Sequence, residues 1–140
     1  MKFEHVALDM KDPVAFCDWW VKNLGFTVTL SNPGPGFCHF IVDETGQVAF
    51  EVYRAADSKT APNYAKQSPL KLHLALLSRN VAKDAKRLVA AGATLLEEVH
   101  RPGFDMAMLR DPFGVALQLV KRGKPVLRKF RKPAKKAAKK

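Results

Sequence analysis

This chain is short of cysteine, has no long apolar run, and carries no acidic residue over its last twenty positions. Cys17 and Cys38 are its only cysteines and lack CxxC spacing, which excludes a disulfide-stapled scaffold and a zinc ribbon. No stretch is apolar for long enough to cross a bilayer, and Met1-Lys2-Phe3-Glu4-His5 lacks signal-peptide character; a reduced, cytoplasmic setting is expected. A glycine-rich phosphate loop and a Ser-His-Asp arrangement are also missing.

What is present suits one soluble domain of 140 residues, 47% hydrophobic and 26% charged. The net charge of +11 suggests a nucleic-acid protein until the charges are located. Eleven of the 24 Lys and Arg lie in 121–140, so residues 1–120 carry thirteen basic side chains against 13 acidic ones. A neutral domain over 1–121 is therefore expected to precede a disordered Lys-rich tail, 122–140, whose like charges and few apolar groups cannot offset chain entropy. The tail is similar in Lys/Ala/Pro composition to linker-histone tails. It suits non-specific contact with DNA or RNA through counterion release, or plain solubilisation.

Within the neutral part the sequence repeats. Phe3-Glu4-His5-Val6-Ala7-Leu8 returns 68 residues later as Lys71-Leu72-His73-Leu74-Ala75-Leu76. An amphipathic helix follows each copy: Asp12 is placed to cap the first, with Pro13 at its first position and Gly25 at its end, and Gly92 ends the second. Asp43-Glu44-Thr45-Gly46 before Gln47 to Val52 then matches Asp111-Pro112-Phe113-Gly114 before Val115 to Leu119. The reading is two βαβββ modules, 1–54 and 70–121, joined by a connection, 55–69, that serves as linker or lid. The expected class is α+β, a curved mixed sheet around a cavity.

Strand side chains alternate between faces. One parity is apolar throughout: Val6 and Leu8, Phe50 and Val52, Leu72, Leu74 and Leu76, Leu117 and Leu119. The other pairs a polar residue with an alanine two positions away: His5 with Ala7, Glu51 with Ala49, His73 with Ala75, Gln118 with Ala116. Two imidazoles, a carboxylate and an amide oxygen form a mixed N/O set suited to a divalent ion such as Zn, Ni, Fe or Mn. Singly, each has a structural explanation; their recurrence at matching module positions is what points to a site.

These modules, the Asn23-Leu24-Gly25-Phe26 helix exit and the closing Asp111 to Leu119 segment resemble the vicinal oxygen chelate superfamily, over residues 1 to about 121. The superfamily includes glyoxalase I, bleomycin resistance proteins, fosfomycin resistance enzymes and extradiol dioxygenases. The resemblance implies metal ligands at His5, Glu51, His73 and Gln118, closest to the small bacterial glyoxalase I pattern of His, Glu, His and Glu. It implies a metal-dependent lyase or isomerase acting on a small oxygenated substrate, with glutathione or another thiol as co-substrate. A homodimer is implied too, with the site within one chain or between subunits.

Gln118 departs from that pattern. With one carboxylate the site retains a +1 charge around a divalent ion, making the ion a stronger Lewis acid and a weaker binder. Glu51 is then the one candidate base among the four. Extradiol dioxygenases carry their carboxylate at the place of Gln118, so oxygenase chemistry is disfavoured. The alternative is a metal-free binder of a small molecule or drug, resembling the bleomycin resistance proteins.

Other residues read as structural. Trp20 belongs to the core and Trp19 to its periphery; Cys17 and Cys38 are inert small hydrophobes; His39 and His100 lie on the surface or in loops. Arg54, Arg79 and Arg110 are solvated or salt-bridged, or clamp a substrate carboxylate. Phe104, Met106 and Met108 share a parity that lines the cavity or fills the core.

Overall fold

The computed structural model describes residues 1–56 and 61–126. The first module runs β1 (His5–Asp9), α1 (Pro13–Leu24), β2 (Thr27–Asn32), β3 (Cys38–Val42) and β4 (Ala49–Tyr53). The second runs β5 (Leu74–Leu77), α2 (Val81–Ala90), β6 (Thr94–Arg101), β7 (Phe104–Arg110) and β8 (Ala116–Arg122), after a 3-10 turn at Tyr64–Lys66. Asp12 caps α1 by accepting the Ala15 amide at 2.9 Å, and Gly25 closes it in the left-handed region at φ 73°. Asn80 plays the same part for α2 toward the Lys83 amide at 3.0 Å.

Each module folds into its own four-stranded sheet, ordered β1-β4-β3-β2 and β5-β8-β7-β6. In both, the first and last strands pair in parallel and the others antiparallel, which makes the sheets mixed and the fold α+β, as expected. The repeat extends to irregularities: a register shift falls between Val28 and Leu30 in one sheet and between Leu95 and Glu97 in the other.

The two modules share a core. Leu8, Ile41 and Val52 of the first sheet cluster with Phe16, Cys17 and Trp20 of α1, with Leu74 and Leu117 of the second sheet and with Val115 just ahead of β8. Trp20 is fully buried and donates its indole N–H to Asp111 Oδ2 at 3.1 Å. Trp19 does more than peripheral packing: it donates to the Ala91 carbonyl at 2.9 Å and packs on both core clusters, linking the modules.

Three expectations need correction. Strand β5 begins at Leu74 and leaves out Leu72, which strand parity groups with its apolar face, because the Lys71 amide turns back onto the Ser68 carbonyl at 3.0 Å; Leu72 is accordingly 37% exposed and outside the core. Arg110 makes no salt bridge among the described residues; it donates Nη1 to the Tyr64 carbonyl at 2.8 Å and the Gly114 carbonyl at 2.9 Å, and Nη2 to the Gln67 carbonyl. It thereby fastens the later half of the connection to the β7–β8 turn. Arg122, assigned to the tail, ends β8; of that tail, 127–140 lies outside the described residues, as do 57–60 of the connection.

Candidate functional site

Because β1 and β4 run parallel with Ala7 opposite Glu51, the residue two positions before Ala7 reaches diagonally toward the carboxylate. His5 Nε2 lies 3.4 Å from Glu51 Oε2, both side chains about one-third exposed at 34% and 27%. The other ring nitrogen, Nδ1, donates to Glu4 Oε2 at 2.8 Å. With Nδ1 carrying the proton, Nε2 presents its lone pair to the sheet face.

The second module repeats this register. Ala75 stands opposite Gln118, and His73 lies two residues before Ala75. His73 sits just ahead of β5 rather than within it, and its Nδ1 donates to the Pro69 carbonyl at 2.8 Å, the same ring nitrogen that His5 uses toward Glu4. Gln118 is half-buried on β8 beside fully buried Ala116 and Val120.

One chain thus presents two pairs. His5 is brought to Glu51, and His73 lies one residue before the paired stretch of β5 in which Ala75 stands opposite Gln118. Among the described residues no group of three or more His, Cys, Asp and Glu side chains is placed to hold a metal ion, so His73 does not join His5 and Glu51 within the chain.

Residues missed in the sequence surround the first pair. The Cys38 thiol donates to Glu51 Oε1 at 3.5 Å, and burial together with that carboxylate raises its pKa. Phe40, opposite Glu51 in the β3–β4 register, sets its ring edge-on to His5 at 5.6 Å. Cys38 and Phe40 share a strand parity, a signal that was present in the sequence; the orientation of Glu4 had none.

The remaining candidates fall elsewhere. His39 is not a loop residue: it lies in β3 on the core side with Ile41, its Nδ1 2.8 Å from Ser31 Oγ and its buried Nε2 without a hydrogen-bond partner among the described residues. His100 stands 3.3 Å from Asp105 at the far end of the second sheet. Met106 and Met108 are buried with Ala116 on the Gln118 side of the sheet, flanked by Val99 and Phe104, apart from the helix-facing core. Arg54 and Arg79 are exposed.

Comparison with known proteins accords with this fold. The family model for the Glyoxalase-like domain matches residues 5–120. Among solved structures, TnmS3, an antibiotic binding protein from Streptomyces sp. CB03234, is 19% identical with a TM-score of 0.68, covering 87% of this chain and 96% of its own. A member of the glyoxalase/bleomycin resistance protein/dioxygenase superfamily from Sphaerobacter thermophilus DSM 20745 is 19% identical with a TM-score of 0.67, covering 86% and 96%. A possible glyoxalase from Bacillus cereus is 17% identical with a TM-score of 0.62, covering 85% and 97%. At these identities the likeness concerns the fold, which hosts many chemistries. No curated protein matches this sequence. A family match spanning both modules, on a fold of paired βαβββ sheets, places the chain in the glyoxalase-like family of the vicinal oxygen chelate superfamily.

Proposed function

We propose that this protein is a metal-dependent, glyoxalase I-like lyase or isomerase acting on a small substrate held through adjacent oxygens. Its site is assembled between two copies of the chain, with His5 and Glu51 from one and His73 and Gln118 from the other. The observation that carries this reading is that two imidazoles at matching places in the two modules each have Nδ1 tied to an acceptor, with Nε2 of His5 turned toward Glu51. Acceptors that hold the far ring nitrogen in this way orient metal-binding histidines and raise their basicity. Each chain holds a pair of donors, which is why a two-fold homodimer is part of the proposal.

The donor set fits Zn, Ni, Fe or Mn, and a bound ion of this kind would supply Lewis acidity to the substrate oxygens. Glu51 is the one carboxylate among the four and the base that removes a proton from carbon. Gln118 contributes an amide oxygen and has no capacity to take a proton. Glutathione or another thiol is the co-substrate class this reading carries from the family.

A second reading, a metal-free small-molecule binder, is favoured by the apolar Met106, Met108 and Ala116 patch beside Gln118 and by the fold shared with the antibiotic-binding TnmS3. Elemental analysis of the full chain, purified without chelator, separates the two. Near-stoichiometric metal, lost in His5→Ala and in His73→Ala, is the expected result. Mixing those two variants makes the inter-chain geometry testable. A hybrid dimer regains one intact site, so about a quarter of all sites recover metal at random exchange. No metal in the full chain on titration would sink the enzyme reading, and a hybrid without recovery would sink the shared site.

A further inference from the structure

The connection between the modules ends against the second sheet, and one side chain reaches across to hold it there. Arg110 closes β7 opposite Ala116, on the face that carries Gln118 two residues further along β8. Its planar fork donates Nη1 to the Tyr64 and Gly114 carbonyls at 2.8 and 2.9 Å, and Nη2 to the Gln67 carbonyl. Gly114 is pressed against the same segment, since a Cβ there would lie 2.6 Å from the Ala65 nitrogen. Two residues beyond Gln67 stands Pro69, whose carbonyl meets Nδ1 of His73 at 2.8 Å. A carbonyl oxygen can only accept, so Nδ1 carries the proton and a neutral ring keeps its lone pair on Nε2.

We infer that Arg110 is a positioning residue for His73. By clamping the backbone at Tyr64 and Gln67 it fixes where the Pro69 carbonyl stands, and through that carbonyl the orientation and tautomer of the imidazole. The inference rests on the reading above for the role of His73 as a metal donor. The competing explanation is the turn itself, in which the Lys71 amide donates to the Ser68 carbonyl at 3.0 Å and the Leu70 amide to Ser68 Oγ at 3.3 Å. Those bonds join near neighbours and set the shape of the turn, but neither ties it to the sheet. Leu70, 87% exposed, gives the turn no apolar anchor. Arg110 supplies the missing tie, because charge-assisted bonds to main-chain carbonyls hold the chain itself. Pro69 leaves little slack between clamp and acceptor, since its ring fixes φ and it has no N–H to make a competing bond.

The test reads the ring itself, by long-range proton–nitrogen correlation NMR of the full chain, isotope-labelled and stripped of metal by chelation and dialysis. At about pH 8.5, where ordinary imidazoles are neutral, His73 should be protonated on Nδ1 and bare on Nε2, its signals identified by their loss in His73→Gln. Arg110→Gln should draw the two His73 nitrogen shifts together or exchange them as the proton moves to Nε2. His5, whose Nδ1 is held by Glu4, should keep its pattern. A loss of global stability short of unfolding moves neither ring. Should Arg110→Gln fail to fold by circular dichroism, Arg110→Lys reads the same signature, since one ammonium does not span three carbonyls. A His73 pattern unmoved in the folded variant overturns the inference, as does a parent ring protonated on Nε2 or an equal change at His5. Metal affinity, measured alongside, should fall about 10–100-fold in the variant. A parent chain that binds no metal sinks the donor role of His73, whereas the tautomer shift is read without metal and still establishes the positioning contact.

Discussion

Asp111 is 4% exposed, and its carboxylate accepts three hydrogen bonds: Trp20 Nε1 to Oδ2 at 3.1 Å, and the Phe113 and Val115 amides to Oδ1 at 3.0 and 2.8 Å. Burial pushes the group up from 3.8 to about 6, against the opposing pull of those donors. Between these values the unfolded chain has released the proton and the folded chain still holds it, so this residue adds stability as pH falls from about 6 toward 4. The penalty for ionised Asp111 is complete above about 6 and gone below 3.8, and the interval corresponds to about 3 kcal/mol. Asp111→Asn abolishes the titration but has one acceptor oxygen where two are used. Its NH₂ must then face either the Trp20 indole or the two backbone donors, a pH-independent cost of about 1–3 kcal/mol. Urea unfolding of both proteins, followed by tryptophan fluorescence, isolates the Asp111 contribution from all other titrations. The stability advantage of the parent chain should be largest near pH 4 and shrink by about 3 kcal/mol by pH 7.5. A gap that stays constant or widens with rising pH would refute the reasoning.

Other outcomes follow from individual contacts. Gly114 adopts φ +90° and a Cβ there would lie 2.6 Å from the Ala65 nitrogen, so Gly114→Ala should cost about 2–4 kcal/mol in urea midpoint analysis. Arg110→Gln withdraws the donors that hold the Tyr64 and Gln67 carbonyls, and limited proteolysis should then cut the connection faster while the sheets persist. The Cys17 thiol is buried and pushed up to about 12 by that burial, whereas Cys38 is partly exposed at the open face. Maleimide labelling of the native chain should therefore mark Cys38 first, with Cys17 reacting only after unfolding.

Much of the fold was legible because two periodicities coincided. Apolar residues at alternate strand positions, with Asp12, Gly25 and Gly92 bounding the helices, marked the strand-helix-three-strand order of both modules. The failure at β5 came from a turn whose apolar residues, Leu70 and Leu72, imitate the strand parity while their backbone folds back at Ser68. Propensity could not distinguish the two, because the turn is stabilised by local hydrogen bonds that leave no periodic mark.

The candidate site divides along the same line. Strand parity and repetition singled out His5, Glu51, His73 and Gln118, since side-chain direction along a strand is a local property, and His73 falls one residue ahead of β5. The sequence by itself also determined the charge asymmetry, a neutral 1–120 and a basic end. Only the tertiary structure decided that His5 meets Glu51 while His73 stays apart, that Cys38 and Glu4 hold the first pair, and that Arg110 is spent on the connection. Those are distances between segments remote in the chain, or choices of rotamer and hydrogen-bond partner. They are fixed when the sheets pack on Trp20 and the shared core, and nothing local encodes them.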